Sequence, residues 1–176
     1  MTRKAESGFT LIELLIVVAI ISIIAAIAVP GLLRARMTGN ETSAIGSLKA
    51  VSSGQVAYSA SCGSNGYASS FPILGTPAPG TSQGFISADL GAPGGPVAPQ
   101  KSGYNFTLAA GVGSGAGPND CNGAATITAY LSTAVPQAFG TSGGRSFSVN
   151  AGNTIWQNNT NAAPTEPFGA PATPIQ

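Results

Sequence analysis

The sequence predicts an α+β fold, in which a long and partly transmembrane N-terminal helix packs on a small antiparallel sheet. Two observations support this prediction. Twenty residues without a charge separate Glu13 from Arg34, and a helical pattern continues after them. Short segments that alternate apolar and polar residues follow only in the last half of the chain. Because twenty helical residues at about 1.5 Å each span the hydrocarbon core of a bilayer, the first helix begins as a membrane-span candidate.

The composition argues against catalysis and nucleic-acid binding. Charged residues make up only 7% of the chain, and its seven basic residues are scattered, so no continuous basic face for phosphates is predicted. The chain has no histidine, and its six acidic residues are far apart. We therefore predict no enzymatic activity, no catalytic residue, no metal site and no cofactor. Calcium at Asp89 or Asp120 is disfavoured because no acidic cluster accompanies either residue.

A single carboxylate interrupts the apolar N-terminal segment. Residues 8–21 read GFTLIELLIVVAII, and Glu13 lies at the start of the uncharged run. A carboxylate at the centre of a bilayer costs about 2.5–3.5 kcal/mol, so Glu13 needs a partner. The alternative is a removable secretory signal with Arg3 and Lys4 before the apolar run, which would leave a mature chain beginning at Val29. Glu13 and the helical pattern beyond Pro30 both argue against that alternative.

The helix is predicted to extend from Phe9 to about Ala60. After the span, apolar and large residues recur every three to four positions, which indicates one buried stripe on a helix. This stripe comprises Ala44, Ile45, Leu48, Val51, Gln55 and Tyr58. Pro30 followed by Gly31 predicts a kink, since proline removes a backbone donor and glycine adds backbone freedom.

The region after the helix is predicted to be a long loop closed by a disulfide. Residues 61–120 contain 13 glycines and seven prolines, which is too many for long regular elements. Cys62 and Cys121 flank this region, and their spacing fits neither a CxxC redox motif nor a metal knuckle. A structural disulfide formed outside the cytoplasm is therefore favoured over two free buried thiols.

Three or four strands are predicted between residues 104 and 156. The first three candidates are residues 104–108 (YNFTL), 124–131 (AATITAYL) and 145–150 (RSFSVN). A fourth short run, residues 154–156, follows Gly152 and Asn153, which suggests a hairpin turn. These strands would pack their apolar face on the second half of the helix. Residues 157–176, with four prolines, are predicted to form a flexible tail.

The N-terminus resembles the type IV pilins, a family that includes the pseudopilins of type II secretion. The resemblance rests on the short basic leader ending in Gly8, the sequence FTLIE at residues 9–13 and the long apolar helix with Pro30. It implies a leader at residues 1–8, a transmembrane and assembly helix at residues 9–33, and a head outside the cytoplasm at residues 34–176. It also implies that a prepilin peptidase cleaves between Gly8 and Phe9 and methylates the new amine of Phe9.

The resemblance further implies a partner for Glu13. In the family, the corresponding glutamate pairs with the free N-terminal amine of a neighbouring subunit during assembly. An ionised carboxylate and a protonated amine can be buried between helices when the two meet. Within one chain, Phe9 and Glu13 are also four residues apart, so an intrachain pair in the stored monomer is the alternative.

By this resemblance, the chain is a subunit of a helical filament, and its scattered basic residues predict no direct contact with nucleic acid. Its partners would be copies of itself and other pilins, the prepilin peptidase and the inner membrane, where it spans once before assembly at the cell surface or in the periplasm. A pilus used in adhesion, motility or DNA uptake, a secretion pseudopilus and a minor tip adhesin all remain open.

Overall fold

A computed structural model describes residues 8–175, which divide into two compact units. The first unit ends at Arg36, and the second, the head, comprises Met37–Gln176. Helix α1 (Leu11–Ser61) supplies most of the described part of the first unit and begins the second. The sequence prediction of one helix from about residue 9 to residue 60 is therefore close at both ends.

In the head, one stripe of α1 is buried. Ala44, Leu48, Val51 and Tyr58 are fully inaccessible to solvent, as the helical spacing predicted. Gln55 lies on the same stripe, and its side-chain amide donates to the Ala68 carbonyl and accepts from the Ala68 N–H, each at 2.9 Å. Both polar atoms of this buried side chain thus have a backbone partner in a strand, which offsets much of the cost of burying it.

A six-stranded antiparallel sheet packs on this stripe of α1. Its inner face supplies about half of the buried head core, including Tyr104, Phe106, Phe147 and Val149. The strands are β2 (Gln100–Lys101), β3 (Tyr104–Ala110), β6 (Tyr130–Pro136), β7 (Ser146–Asn150), β8 (Ile155–Asn158) and β9 (Thr173–Pro174). Their spatial order is β2-β3-β6-β7-β8-β9, so neighbours in the sheet are mostly neighbours in the sequence.

A smaller sheet lies beside the C-terminal end of α1. Its strands are β1 (Tyr67–Ala68), β4 (Ala116–Asn119) and β5 (Ala125–Ile127), in the spatial order β1-β5-β4. A short helix, α2 (Phe71–Gly75), follows β1 and buries Phe71 and Leu74 in the core. The head is thus α+β, as predicted, but it contains two sheets and more strands than the three or four expected.

The predicted strand at residues 124–131 is wrong, because the chain changes sheets within it. β5 ends at Ile127 and β6 begins at Tyr130. Between them, the Thr128 N–H donates to the Gly115 carbonyl at 3.1 Å, and the Ala129 N–H donates to Ser114 Oγ at 3.1 Å. These bonds to a distant glycine-rich loop replace strand pairing and separate the run into two strands.

Residues 61–120 contain more regular structure than the predicted loop. β2 and β3 form a hairpin whose two turn residues, Ser102 and Gly103, have φ values of 49° and 72°. Positive φ at both central positions defines a type I′ turn, for which glycine is well suited. The Ser-Gly pair is typical of this turn. The strand β2 was not predicted, because its residues show no alternating pattern.

The tail is anchored instead of flexible. Ser146 and Ser148 on the outer face of β7 donate their hydroxyls to the carbonyls of Thr160 and Pro164, at 2.7 Å and 2.6 Å. The ring of Trp156 stacks on that of Phe168 with 5.2 Å between centroids. β9 then pairs with β8 and completes the sheet. The tail therefore covers the outer face of the sheet. Its four prolines predicted a flexible segment and gave no sign of these contacts.

A partly buried ion pair joins α1 to the sheet. The Arg145 Nε and Nη2 atoms donate to Glu41 Oε2 at 2.9 Å and 2.6 Å, and the Gly144 N–H donates to Glu41 Oε1 at 2.9 Å. The Glu41 side chain is 10% exposed and that of Arg145 is 35% exposed. Removing the arginine leaves a carboxylate with too few partners away from water.

We therefore expect Arg145→Met to lower the free energy of unfolding by about 2–4 kcal/mol. The measurement is urea unfolding of the full chain in detergent micelles, followed by near-ultraviolet circular dichroism. Lys101→Met is the matched control, because it removes the more exposed pair with Asp89 and should cost at most about 1 kcal/mol. Equal losses in the two variants would contradict a special contribution from the Arg145 pair.

Candidate assembly site

Helix α1 begins with a capping box formed by Thr10 and Glu13. Thr10 immediately precedes the first helical residue, and its Oγ1 accepts the Glu13 N–H at 3.3 Å. The Glu13 carboxylate in turn accepts the Thr10 backbone N–H at 3.0 Å and the Thr10 hydroxyl at 2.5 Å. This reciprocal pairing satisfies donors that a helix start leaves without partners. Glu13 thus caps its own helix, a role that the spacing Thr10-x-x-Glu13 signals but that was not among the sequence predictions.

The helix surface after Glu13 is apolar on all sides. The large apolar side chains between Leu11 and Leu33 are exposed, from 47% at Val17 to 77% at Ile27. Within residues 8–175, α1 is the one helix long and apolar enough to cross a membrane. Such a surface is stable in lipid or between packed helices, and a secretory signal has the same composition.

The predicted processing residues lie directly before the helix. Gly8 and Phe9 are outside regular secondary structure, and the Phe9 side chain is 78% exposed. The rest of the predicted leader, including Arg3 and Lys4, lies outside the described residues. Cleavage between Gly8 and Phe9 stays a prediction, and the backbone there is not tied into a helix.

Pro30 and Gly31 lie inside α1, which continues through both residues. No atom beyond its own helix lies within 4 Å of the position that a Gly31 side chain would occupy. The missing N–H of Pro30 removes one helical hydrogen bond at this point. The kink itself stays a prediction.

The two cysteines form a disulfide that connects the end of α1 to the start of the second half of the head. Cys62 and Cys121 have Cα atoms 4.8 Å apart, and the Cys121 N–H donates to the Cys62 carbonyl at 2.8 Å. Beside the disulfide, the Tyr58 hydroxyl donates to Asp120 Oδ2 at 2.8 Å. Asp120 Oδ1 accepts the N–H groups of Asn122 and Ala124 at 2.9 Å and 2.7 Å. The helix end and this loop are therefore held by one covalent bond and a compact set of hydrogen bonds.

The two aspartates considered for calcium have protein donors as partners. Asp120 is bound as described above, and Asp89 pairs with Lys101 Nζ at 2.7 Å and accepts the Ser87 hydroxyl. The hydrogen bonds from Lys101 and Ser87 lower the pKa of Asp89 below its usual value. In the described part of the chain, no group of three or more acidic, histidine or cysteine side chains could hold a metal ion.

Three buried tyrosines predict a loss of stability in alkali. Burial raises the pKa of Tyr58, Tyr104 and Tyr130 above the usual value of 10. The Asp120 carboxylate adds to this effect at Tyr58, and the charge of Glu41 adds to it at Tyr104. Unfolded tyrosines ionise near pH 10 while the folded ones stay neutral, so stability is fully present below pH 10 and falls as the pH rises further.

We expect the free energy of unfolding to be lower at pH 11 than at pH 9, with tyrosinate absorbance at 295 nm rising as the chain unfolds. The measurement is urea unfolding at several pH values, with Tyr130→Phe as the matched variant. That variant loses one titrating group, so its stability should fall less steeply with pH. A free energy of unfolding that does not change between pH 9 and pH 11 would contradict the linkage.

Comparisons with known proteins agree with the features of this N-terminus. Residues 3–29 match the model of the prokaryotic N-terminal methylation motif. The chain is 62% identical over 40 residues to a protein of Thermus thermophilus, the type IV wide pilus major component PilA4. This match covers 23% of the chain and 30% of the relative. No solved structure matches the chain.

These features define a protein with a prepilin-type N-terminus and an α+β head. The methylation motif and the match to a pilus component are similarities to the type IV pilins, and the long apolar helix joined to antiparallel sheets is a pilin-like arrangement. The apolar helix and the motif also fit anchoring in a membrane. The motif covers residues 3–29, and the match to the relative spans less than a third of the relative's length.

Proposed function

We propose that this chain is a structural subunit of a type IV pilus-like helical filament. A prepilin peptidase cleaves it between Gly8 and Phe9 and methylates the Phe9 amine. Before assembly, the chain spans the inner membrane with its head outside the cytoplasm. It then assembles into a filament with copies of itself and other pilins. The filament lies at the cell surface or in the periplasm, and the chain has no enzymatic role.

The observation that carries this proposal is the apolar helix with one carboxylate at its start. Large apolar side chains are exposed around α1 from Leu11 to Leu33, so the helix needs an apolar environment both before and after assembly. Lipid supplies it in the membrane, and neighbouring helices supply it in a filament. Since both environments are apolar, the transfer itself has little specificity.

Glu13 gives the transfer its specificity. After cleavage, the free amine of Phe9 is protonated at neutral pH and needs a negative partner when it is buried. A subunit placed in the wrong register leaves this amine and Glu13 unpaired, at a cost of several kcal/mol. Because one contact repeated in the same direction builds an open helix, this pair and the apolar surface specify a filament.

The matched relative is a major component of a wide pilus, which favours a pilus over a secretion pseudopilus. The pseudopilin and the minor tip adhesin share the same N-terminal chemistry and are the alternatives. Abundance separates them, because a major subunit dominates sheared surface filaments. A tip adhesin is a trace component of such filaments, and a pseudopilin stays in the periplasm.

The first experiment is mass spectrometry of the N-terminal peptide of the mature protein from its native host. We expect a chain that begins at Phe9 with one added methyl group. A mature chain that begins at Val29 would mean that the apolar helix is discarded as a secretory signal, and it would overturn the proposal.

A further inference from the structure

The chain after β8 forms a C-terminal strap, residues 159–175, which lies on the outer face of the six-stranded sheet and contains β9. Most residues of the strap are exposed, and within this range only Pro164 and Ala172 are buried. Phe168 is half-buried where its ring stacks on that of Trp156. Because the strap removes little apolar surface from water, its hydrophobic stabilisation is small.

The strap is attached to the head mainly through hydrogen bonds. The hydroxyls of Ser146 and Ser148 donate to two of its carbonyls, as described above. Near the end of the strap, β9 pairs with β8, and the Ile175 N–H donates to the Ile155 carbonyl at 2.8 Å. Such bonds contribute little net stability, because water supplies new partners when the strap opens.

Glu166 joins the middle of the strap to two separate elements of the head. Its Oε2 accepts the Val112 N–H at 2.7 Å, and its Oε1 accepts the side-chain amide of Asn150. Val112 lies in the loop after β3 and is 68% exposed, while Asn150 is the last residue of β7. A carboxylate accepts stronger hydrogen bonds than a neutral carbonyl does, so Glu166 is the main attachment in this part of the strap.

The apolar core of the head does not include the strap. Among the described residues, no member of the strap belongs to the buried apolar cluster, and Ile175 alone packs against it. The disulfide between Cys62 and Cys121 and the ion pair between Glu41 and Arg145 also lie outside the strap. Opening the strap therefore leaves in place the contacts that hold α1 on the sheet.

The strap also covers one edge of the sheet. β8 pairs with β7 on one side and with β9 on the other, so β8 would become the edge strand if β9 left. An open edge presents unpaired backbone N–H and C=O groups, which proteins usually cover because they pair readily with other chains. Whether the strap is docked therefore determines whether this edge is covered or open.

We propose that the strap detaches from the head as one unit while the rest of the head stays folded, and that Glu166 holds it closed. Detachment separates the Phe168 ring from Trp156, ends the pairing of β9 and opens the β8 edge. The attachment through hydrogen bonds, the small buried apolar area and a core that excludes the strap all support this assignment.

The test is native-state hydrogen exchange of the full chain in detergent micelles, followed by mass spectrometry of its peptic peptides. In the wild type, the N–H groups of Ala172 and Ile175 are hydrogen-bonded. We expect them to be protected, but to exchange about a hundredfold faster than those of β3, β6 and β7. Glu166→Ala should raise their exchange by about tenfold, because it removes two charge-assisted hydrogen bonds, and should leave β6 unchanged.

Asp89→Ala is the matched control, since it removes an exposed carboxylate outside the strap and should leave exchange in the strap unchanged. Four results would overturn the proposal. Equal exchange in the strap and in β6 would mean that the strap opens only when the whole head unfolds, and strap amides without protection would mean that it is not docked. An equal effect of Glu166→Ala on β6 would mean that Glu166 stabilises the whole head. No effect at Ile175 would mean that the strap does not open as one unit. None of these measurements depends on filament assembly.

Discussion

Glu13→Val is expected to leave cleavage between Gly8 and Phe9 intact and to remove nearly all filament incorporation. The variant makes the membrane helix more apolar, so insertion and processing should proceed. In a filament, however, the protonated amine of Phe9 would be buried without its partner. Breaking one side of a buried pair costs about 3–5 kcal/mol, which corresponds to a loss of incorporation of a hundredfold or more. The measurement compares the subunit in sheared filaments with the subunit in the membrane fraction.

Glu13→Gln separates the two contributions of this side chain. Glutamine at the third helical position supports the capping box with Thr10, but it carries no charge. If pairing with the neighbouring amine matters most, the glutamine and valine variants should both fail to assemble. Normal filament yield from the glutamine variant would show that the helix cap, and not the ion pair, is what Glu13 supplies.

Loss of the disulfide is expected to destabilise the head strongly. The bridge closes a loop between residues separated by 59 positions, for which the loop-entropy model gives about 4 kcal/mol. It also holds the segment in which Asp120 accepts the Tyr58 hydroxyl. The Cys62→Ser/Cys121→Ser double variant should therefore have a much lower free energy of unfolding in urea. Changing both residues avoids leaving a reactive thiol in the head.

A reduced wild-type chain provides the control for this variant. If the constraint of the bridge is responsible, the wild type in dithiothreitol should unfold at the same urea concentration as the double variant. A variant as stable as the oxidised wild type would contradict the expected contribution.

Helix α1, which ends at Ser61, could be predicted well because its signals are local. The uncharged run and the stripe from Ala44 to Tyr58 each depend on neighbours within a few turns of helix. The cap formed by Thr10 and Glu13 is equally local, and its four-residue spacing could have been recognised. The two cysteines indicated a disulfide because their number and spacing left few alternatives.

The head could be predicted only in outline. Residues 124–131 look like one strand, yet bonds to Ser114 and Gly115 divide them between two sheets. The tail looks flexible, yet Ser146 and Ser148 anchor it through carbonyls at least 14 residues away. These partners lie far apart in sequence, so no local pattern contains them.

The sequence by itself determined a long apolar helix with one carboxylate, an α+β head and a disulfide candidate, because helix period, hydropathy and cysteine spacing act over short ranges. The tertiary structure decided that Glu41 meets Arg145 and that the tail covers the sheet. Such juxtapositions depend on which distant segments pack together, and only the folded chain brings them within bonding distance.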